Sequence, residues 1–263
     1  MADLEAILSD LDAESQEVDG LVAGLAAQDW ARLTPAEGWT IAHQIAHLLW
    51  TDQKALLSAT EPDEFGEELK RALAAGDDYA GQCAAELATA PPGELLARWR
   101  EGRAELRQAL ASVPKGAKLP WYGPPMSVAS LATARLMETW AHGQDVADAL
   151  GVHRVPTGRL WHIARFGVRT RDFAFAVNSL APPVEEFRVE LTAPDGDTWA
   201  FGPDDAAERV TGSALGFCFV VTQRRHPADT DVHAEGESAR EWLGIAQAFA
   251  GQPGAGREPG QFA

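Results

Sequence analysis

Apolar residues that recur every three or four positions through the first 150 residues constrain the fold of this chain more than any other feature. Leu4, Leu8 and Leu11 begin the pattern, and such spacing lines one face of a helix with apolar side chains. No segment of this part alternates with the period of two that a half-buried strand shows. We therefore predict helices over residues 3–28, 41–59, 64–88 with a break near Gly76, 92–113 and 128–150.

The pattern changes after about residue 155. Residues 187–191 alternate as FRVEL, a turn signal Pro-Asp-Gly follows, and residues 198–201 can form the returning strand. Helices are predicted at 160–176 and 239–249, whereas 214–222 is apolar enough for either a helix or a buried strand. The fold class predicted is α+β overall. Its parts are a four-helix bundle at 1–155, a smaller C-terminal α+β domain at 156–250 and a flexible tail at 251–263.

Charge and composition narrow the classes of partner. The chain has 39 acidic and 22 basic residues and a net charge of −17, which repels phosphate backbones and anionic membrane surfaces. We expect a small-molecule substrate, no nucleic acid and no membrane, and leave a homodimer open. Cys83 and Cys218 lie in apolar runs, as reduced cysteines do. The start of the chain lacks the basic region of a signal peptide, so we expect a cytoplasmic protein.

Two of the predicted helices carry residues with metal-binding chemistry. The segment GWTIAHQIAHLL contains His43 and His47, and TARLMETWAHGQDVADAL contains Glu138, His142 and Asp145. Residues four apart lie on the same face of a helix, so Glu138 and His142 can reach one ion together. A third ligand from a facing helix would complete a two-histidine, one-carboxylate set, which suits zinc with an open position. The same spacing also arises by chance on helix surfaces.

On these two segments the chain resembles the DinB-like metal-binding superfamily of four-helix bundles, in particular its branch of mycothiol-dependent maleylpyruvate isomerases. Trp39 and His47 match the Gly-Trp…Ala-His-Leu block of that family, and Glu138, His142 and Asp145 match its Glu-x-x-x-His-x-x-Asp block. The resemblance implies that His47, Glu138 and His142 bind a divalent metal, most often zinc. It also implies a thiol cosubstrate, which is mycothiol in actinobacteria.

Three neighbouring residues have two interpretations each. His43 either lines the same cavity or is an ordinary helix residue. Asp145 either orients the imidazole of His142 or is a surface charge. Arg135 either holds a substrate carboxylate or forms a surface salt bridge, which is the commoner role for such a residue.

The isomerase branch also has an arginine in its second domain that contributes to the active site. Arg225, with Arg224 beside it, matches that arginine here, although Gln223 stands where the family has glycine. The resemblance therefore implies Arg225 as a catalytic residue, and the alternative is that Arg224 and Arg225 are an ordinary pair of loop residues at the end of a strand or helix. The segment WYGPPM at 121–126 precedes the helix of Glu138 and is either a lid over the site or a rigid loop.

Together these features predict a metal-dependent enzyme that uses a thiol to isomerise or S-conjugate a small electrophile. A dication favours the thiolate, which is the nucleophilic form of a thiol. Two alternatives remain: a metal-dependent enzyme that hydrolyses or hydrates its substrate without a thiol, and a non-catalytic protein that binds a metal or ligand. The sequence contains no nucleophile elbow, phosphate loop or dinucleotide-binding loop.

Overall fold

The first part of the chain folds into a helical unit. The computed structural model describes residues 3–76, 78–251, 254 and 256–262, and it divides into two compact units, one up to Arg154 and one from Val155. The helices of the first unit are α1 (Leu4–Val22), α2 (Ile41–Thr60), α3 (Pro62–Ala75), α4 (Tyr79–Leu87), α5 (Pro92–Ser112) and α6 (Val128–Leu150). A 3-10 helix (Ala27–Ala31) follows α1, and the short strands β1 (Lys118–Leu119) and β2 (Met126–Ser127) pair before α6.

Most of the predicted helices of this unit are confirmed, and one ends earlier than predicted. Gly76 separates α3 from α4 with φ +86°, a conformation that glycine adopts without strain. The helix predicted to reach residue 28 ends at Val22. Leu25 lies beyond the end of this helix but still packs against the core. Its apolar side chain therefore continues the pattern from which the longer helix was predicted.

The long helices of the first unit enclose the core of a four-helix bundle. Helix α1 packs on α6, and α2 packs on α5 and α6. One apolar cluster contains Ile45 and Trp99, and a second contains Leu8 and Leu131. The candidate site lies on α2 and α6, which contribute residues to both clusters.

The second unit combines helices with a small mixed sheet, which confirms the α+β class. Its helices are α7 (Leu160–Arg169), α8 (Arg171–Val177), α9 (Ala214–Val221) and α10 (Glu237–Ile245), and its strands are β3 (Phe187–Thr192), β4 (Thr198–Phe201), β5 (Glu208–Ser213) and β6 (His233–Glu235). The strand order is β4-β3-β5-β6, with β3 and β5 parallel and the other pairs antiparallel. Thr170 divides the predicted helix 160–176 into α7 and α8, and residues 214–221 are helical.

The described part of the C-terminal segment contacts the second unit. The backbone N–H groups of Gly260 and Phe262 donate to the carboxylate of Asp229 at 2.7 and 3.3 Å. Both cysteines are free thiols; Cys218 is buried, and Cys83 is half-buried rather than a core residue. Among the described residues, none of the helices combines the length and the apolar character that a membrane crossing requires.

Candidate metal centre

The three side chains predicted to bind a metal converge on one point in the first unit. His47 comes from α2, and Glu138 and His142 come from successive turns of α6. One donor atom from each residue lies within 4.8 Å of the other two. Glu138 Oε2 lies 3.1 Å from His142 Nε2 and 3.6 Å from His47 Nε2. Because these side chains are 12–20% exposed, the cluster is sheltered but still reachable from outside.

The electrostatics of this cluster leave Glu138 as an anion. Burial alone would raise the pKa of its carboxyl group, but the neighbouring imidazoles of His142 and His47 outweigh burial and hold the pKa well below its usual range. Two imidazole nitrogens and one carboxylate oxygen are the donors that zinc takes in sites with an open coordination position. The residues present therefore fit a divalent cation.

The second ring nitrogen of His142 is held by a residue that sequence reasoning missed. His142 Nδ1 lies 2.5 Å from Oε1 of Gln44, which is fully buried on α2. Asp145, predicted as either the partner of this imidazole or a surface charge, is 1% exposed and so is not a surface charge. A signal for Gln44 existed, because it is a polar residue on the buried side of a helix, one turn before His47.

Aromatic rings surround the two histidines. The Trp39 ring stacks on His142 with centroids 5.9 Å apart and an interplanar angle of 22°, and Trp50 lies 6.0 Å from His47. His43 has a different role: its Nδ1 accepts a hydrogen bond from the backbone N–H of Thr40 and contacts its hydroxyl, which caps the start of α2. The rings of Trp39 and Trp50 give the centre apolar walls on two sides.

The buried carboxylate of Glu68 binds side chains from several elements on the side of Trp50 where Tyr79 and Tyr122 lie. Glu68 of α3 is 1% exposed, and it pairs with Lys54 at 2.9 Å and Arg71 at 2.8 Å. The hydroxyls of Tyr79 and Tyr122 donate to it at 2.9 and 3.1 Å. Tyr122 belongs to the WYGPPM segment, so these contacts favour the rigid-loop interpretation of that segment over a lid.

Glu68 makes the stability of the first unit depend on pH. Burial would raise its pKa, but hydrogen bonds from Lys54, Arg71 and Tyr79 lower it from 4.5 to about 2. Because the pKa of Glu68 is lower in the folded protein than in the unfolded one, its ionised carboxylate stabilises the fold at pH values above about 5. This contribution is lost as the pH falls from about 5 towards 2. We expect Glu68→Gln to lower the free energy of unfolding at pH 7 by about 3 kcal/mol, measured by urea denaturation.

Glu67→Gln is the matched control for this prediction. Glu67 is adjacent in sequence, but its side chain is 63% exposed and pairs with an exposed lysine; this change should alter stability by less than about 0.5 kcal/mol. The difference between Glu68→Gln and the unmodified protein should shrink as the pH falls to 3. A difference of equal size at pH 7 and pH 3 would contradict the assignment to the carboxylate charge.

The two predicted arginines lie in different environments. Arg135, predicted as either a substrate ligand or a surface salt bridge, is 1% exposed and pairs with buried Asp52 at 2.9 Å, so the surface interpretation is wrong. Arg225 lies in the second unit, where its guanidinium contacts the rings of Phe219 and Phe262, 4.6 and 3.7 Å from their centroids. Its catalytic role stays a prediction.

Two protein-family models match the chain, one in each unit. Residues 11–147, just over half of the chain, match the family model described as mycothiol maleylpyruvate isomerase N-terminal domain. Residues 183–235, which contain the sheet of the second unit, match the model described as wyosine base formation. Two proteins of Mycobacterium tuberculosis strains, both named as uncharacterized proteins, are 60% identical over 257 residues, 98% of this chain and 100% of each relative.

Solved structures agree with the fold. The crystal structure of the mycothiol-dependent maleylpyruvate isomerase superimposes with a TM-score of 0.61 at 15% identity, covering 89% of this chain and 93% of that one. The structure of a histidine-to-alanine mutant of that isomerase gives a TM-score of 0.62 at 17% identity, with the same coverage. At such identities the similarity establishes the fold, and the chemistry has to be argued from the site.

Proposed function

Because the chain belongs to the mycothiol maleylpyruvate isomerase family, we propose that it is a metal-dependent enzyme that uses a low-molecular-weight thiol, mycothiol, on a small electrophilic substrate. The observation that carries this proposal is the convergence of His47, Glu138 and His142 within 4.8 Å. Three protein donors leave a coordination position for a further ligand. Zinc is the cation that this donor set suits best.

The residues of the proposed centre have different roles in binding a cation. Glu138 supplies the negative charge, and His47 and His142 supply neutral donors from two facing helices. A bound divalent cation would favour the thiolate form of the thiol over the protonated form. Trp39 and Trp50 flank the histidines, which restricts water around the nucleophile and strengthens the electrostatic interactions there.

The reaction proposed is addition of the thiolate to an activated carbon–carbon double bond. The sulfur–carbon bond forms as the π bond breaks, and the electron pair moves to the conjugated carbonyl group. Rotation about the resulting single bond, followed by loss of the sulfur with its bonding pair, re-forms the double bond as the other geometric isomer and releases the thiol unchanged. If the carbanion takes a proton instead, the product is an S-conjugate.

This activity can be tested with purified, zinc-loaded protein. We expect maleylpyruvate or a related unsaturated keto acid to be consumed when mycothiol is present, with the isomer or the thioether adduct detected by chromatography. The same mixture without the thiol should be inactive, and so should protein carrying Glu138→Gln. Equal turnover with and without mycothiol would contradict the thiol requirement and favour the hydrolytic or hydrating alternative.

A further inference from the structure

A chain of hydrogen bonds leads from the candidate metal centre to the loop before α2. Gln44 Oε1 contacts His142 Nδ1 at 2.5 Å, and Gln44 Nε2 donates to Thr34 Oγ1 at 2.8 Å. Thr34 Oγ1 in turn donates to the carbonyl of Trp39 at 3.0 Å. The hydroxyl proton of Thr34 is thus already used, so Thr34 accepts from the amide nitrogen of Gln44 and the amide oxygen is the atom that faces His142.

This orientation determines which nitrogen of His142 is available to a metal. An amide oxygen only accepts hydrogen bonds, so Nδ1 of His142 carries a proton. The other nitrogen, Nε2, is the one that faces Glu138 at 3.1 Å. Gln44 therefore holds the ring in the orientation and tautomer that a metal ligand requires.

The same loop touches His142 a second time. The ring of Trp39 stacks on the imidazole at 5.9 Å, while its carbonyl receives the hydroxyl and the backbone N–H of Thr34 at 3.0 and 2.8 Å. Thr34 is 9% exposed and Gln44 is fully buried, so water competes little for these bonds. Trp39 is connected to the metal ligand through its ring and through the Thr34–Gln44 chain.

We propose that Gln44 is a positioning residue for His142, and that Thr34 couples the loop carrying Trp39 to metal binding. The inference rests on the proposed metal centre and adds two residues that act through His142. Because coupling between two equilibria is reciprocal, a bound metal should order the loop, and weakening the loop should weaken metal binding.

Zinc affinity of the full chain, measured by competition with a chromophoric chelator, tests this inference. Gln44→Met keeps the side-chain volume but removes both hydrogen bonds, and we expect it to weaken zinc binding by about 10–100-fold. Thr34→Val removes only the link to the loop and should weaken binding by less than about tenfold. Thr34→Ser retains the hydroxyl and is the matched control, with an affinity within about twofold of the unmodified protein.

Two further variants separate positioning from a general loss of structure. In Gln44→Glu the carboxylate still accepts from His142 but no longer donates to Thr34, so zinc affinity should stay above that of Gln44→Met. The double variant Gln44→Met with Thr34→Val should bind zinc no more weakly than Gln44→Met alone, because the chain is already broken. The visible spectrum of the cobalt-substituted protein reports the ligand geometry, and it should change in Gln44→Met.

The outcomes distinguish this inference from the proposed centre. If His142→Ala abolishes zinc binding while Gln44→Met binds as the unmodified protein does, the metal centre stands and the role of Gln44 is wrong. If the Thr34→Val and Gln44→Met effects add fully, the coupling of the loop is wrong. If His47→Ala and His142→Ala both retain zinc, the centre and the inference are overturned together.

Discussion

Replacing Glu138 by glutamine is expected to abolish zinc binding while the protein stays folded. Glu138 supplies the negative charge among the three donors that converge within 4.8 Å, and a neutral amide is not among the donors that zinc usually takes in proteins. Glutamine has nearly the same shape, and the side chain is 20% exposed, so packing should be preserved. Elemental analysis after dialysis should show about one zinc per chain in the unmodified protein and none in the variant.

His43→Ala is the control on the same helix. His43 lies one turn before His47, but its Nδ1 caps α2 rather than facing Glu138. This change should retain full zinc content and cost about 1 kcal/mol of stability through the lost cap. Loss of zinc from His43→Ala together with its retention in Glu138→Gln would mean that the cation binds elsewhere.

How far the sequence predicts this site depends on whether the contacts are local. The spacing of Glu138 and His142 could be read directly, because the helix places residues four apart on the same face. The contact between Gln44 and His142 could not, because the two residues are 98 positions apart and no periodicity relates two helices in that way. Family resemblance supplied His47 for the same reason: the ligand from the facing helix has no local signal.

The fold shows the same division between local and distant contacts. The hairpin of β3 and β4 was predicted from its alternation and turn, and both strands form where expected. The parallel pairing of β3 with β5 was not predicted, because it joins segments that no tight turn connects. Neither interpretation offered for Arg135 was a buried ion pair, because its partner Asp52 is 83 positions away.

Removing the buried arginine should be the most damaging single change in the bundle. Arg135 is 1% exposed and donates to Asp52 at 2.9 Å, and Asp52 also accepts from Trp99 Nε1 at 3.1 Å. We expect Arg135→Met to lower the free energy of unfolding by about 3–5 kcal/mol, because it leaves a buried carboxylate without the guanidinium that pairs with it directly. Urea denaturation at neutral pH measures this. Arg100→Met is the matched control and should cost about 1 kcal/mol or less, since that arginine is 47% exposed.

Adding Asp52→Asn to Arg135→Met shows whether the lost charge pairing or the lost packing causes the drop in the free energy of unfolding. In the double variant Arg135→Met with Asp52→Asn, the orphaned charge is gone and the amide oxygen can still accept from Trp99. If the uncompensated charge dominates, the double variant should recover most of the lost stability, because exchanging both partners of a buried pair for neutral groups is often close to neutral. If the double variant is as unstable as Arg135→Met, the loss of stability comes from the packing of the arginine stem and not from its charge.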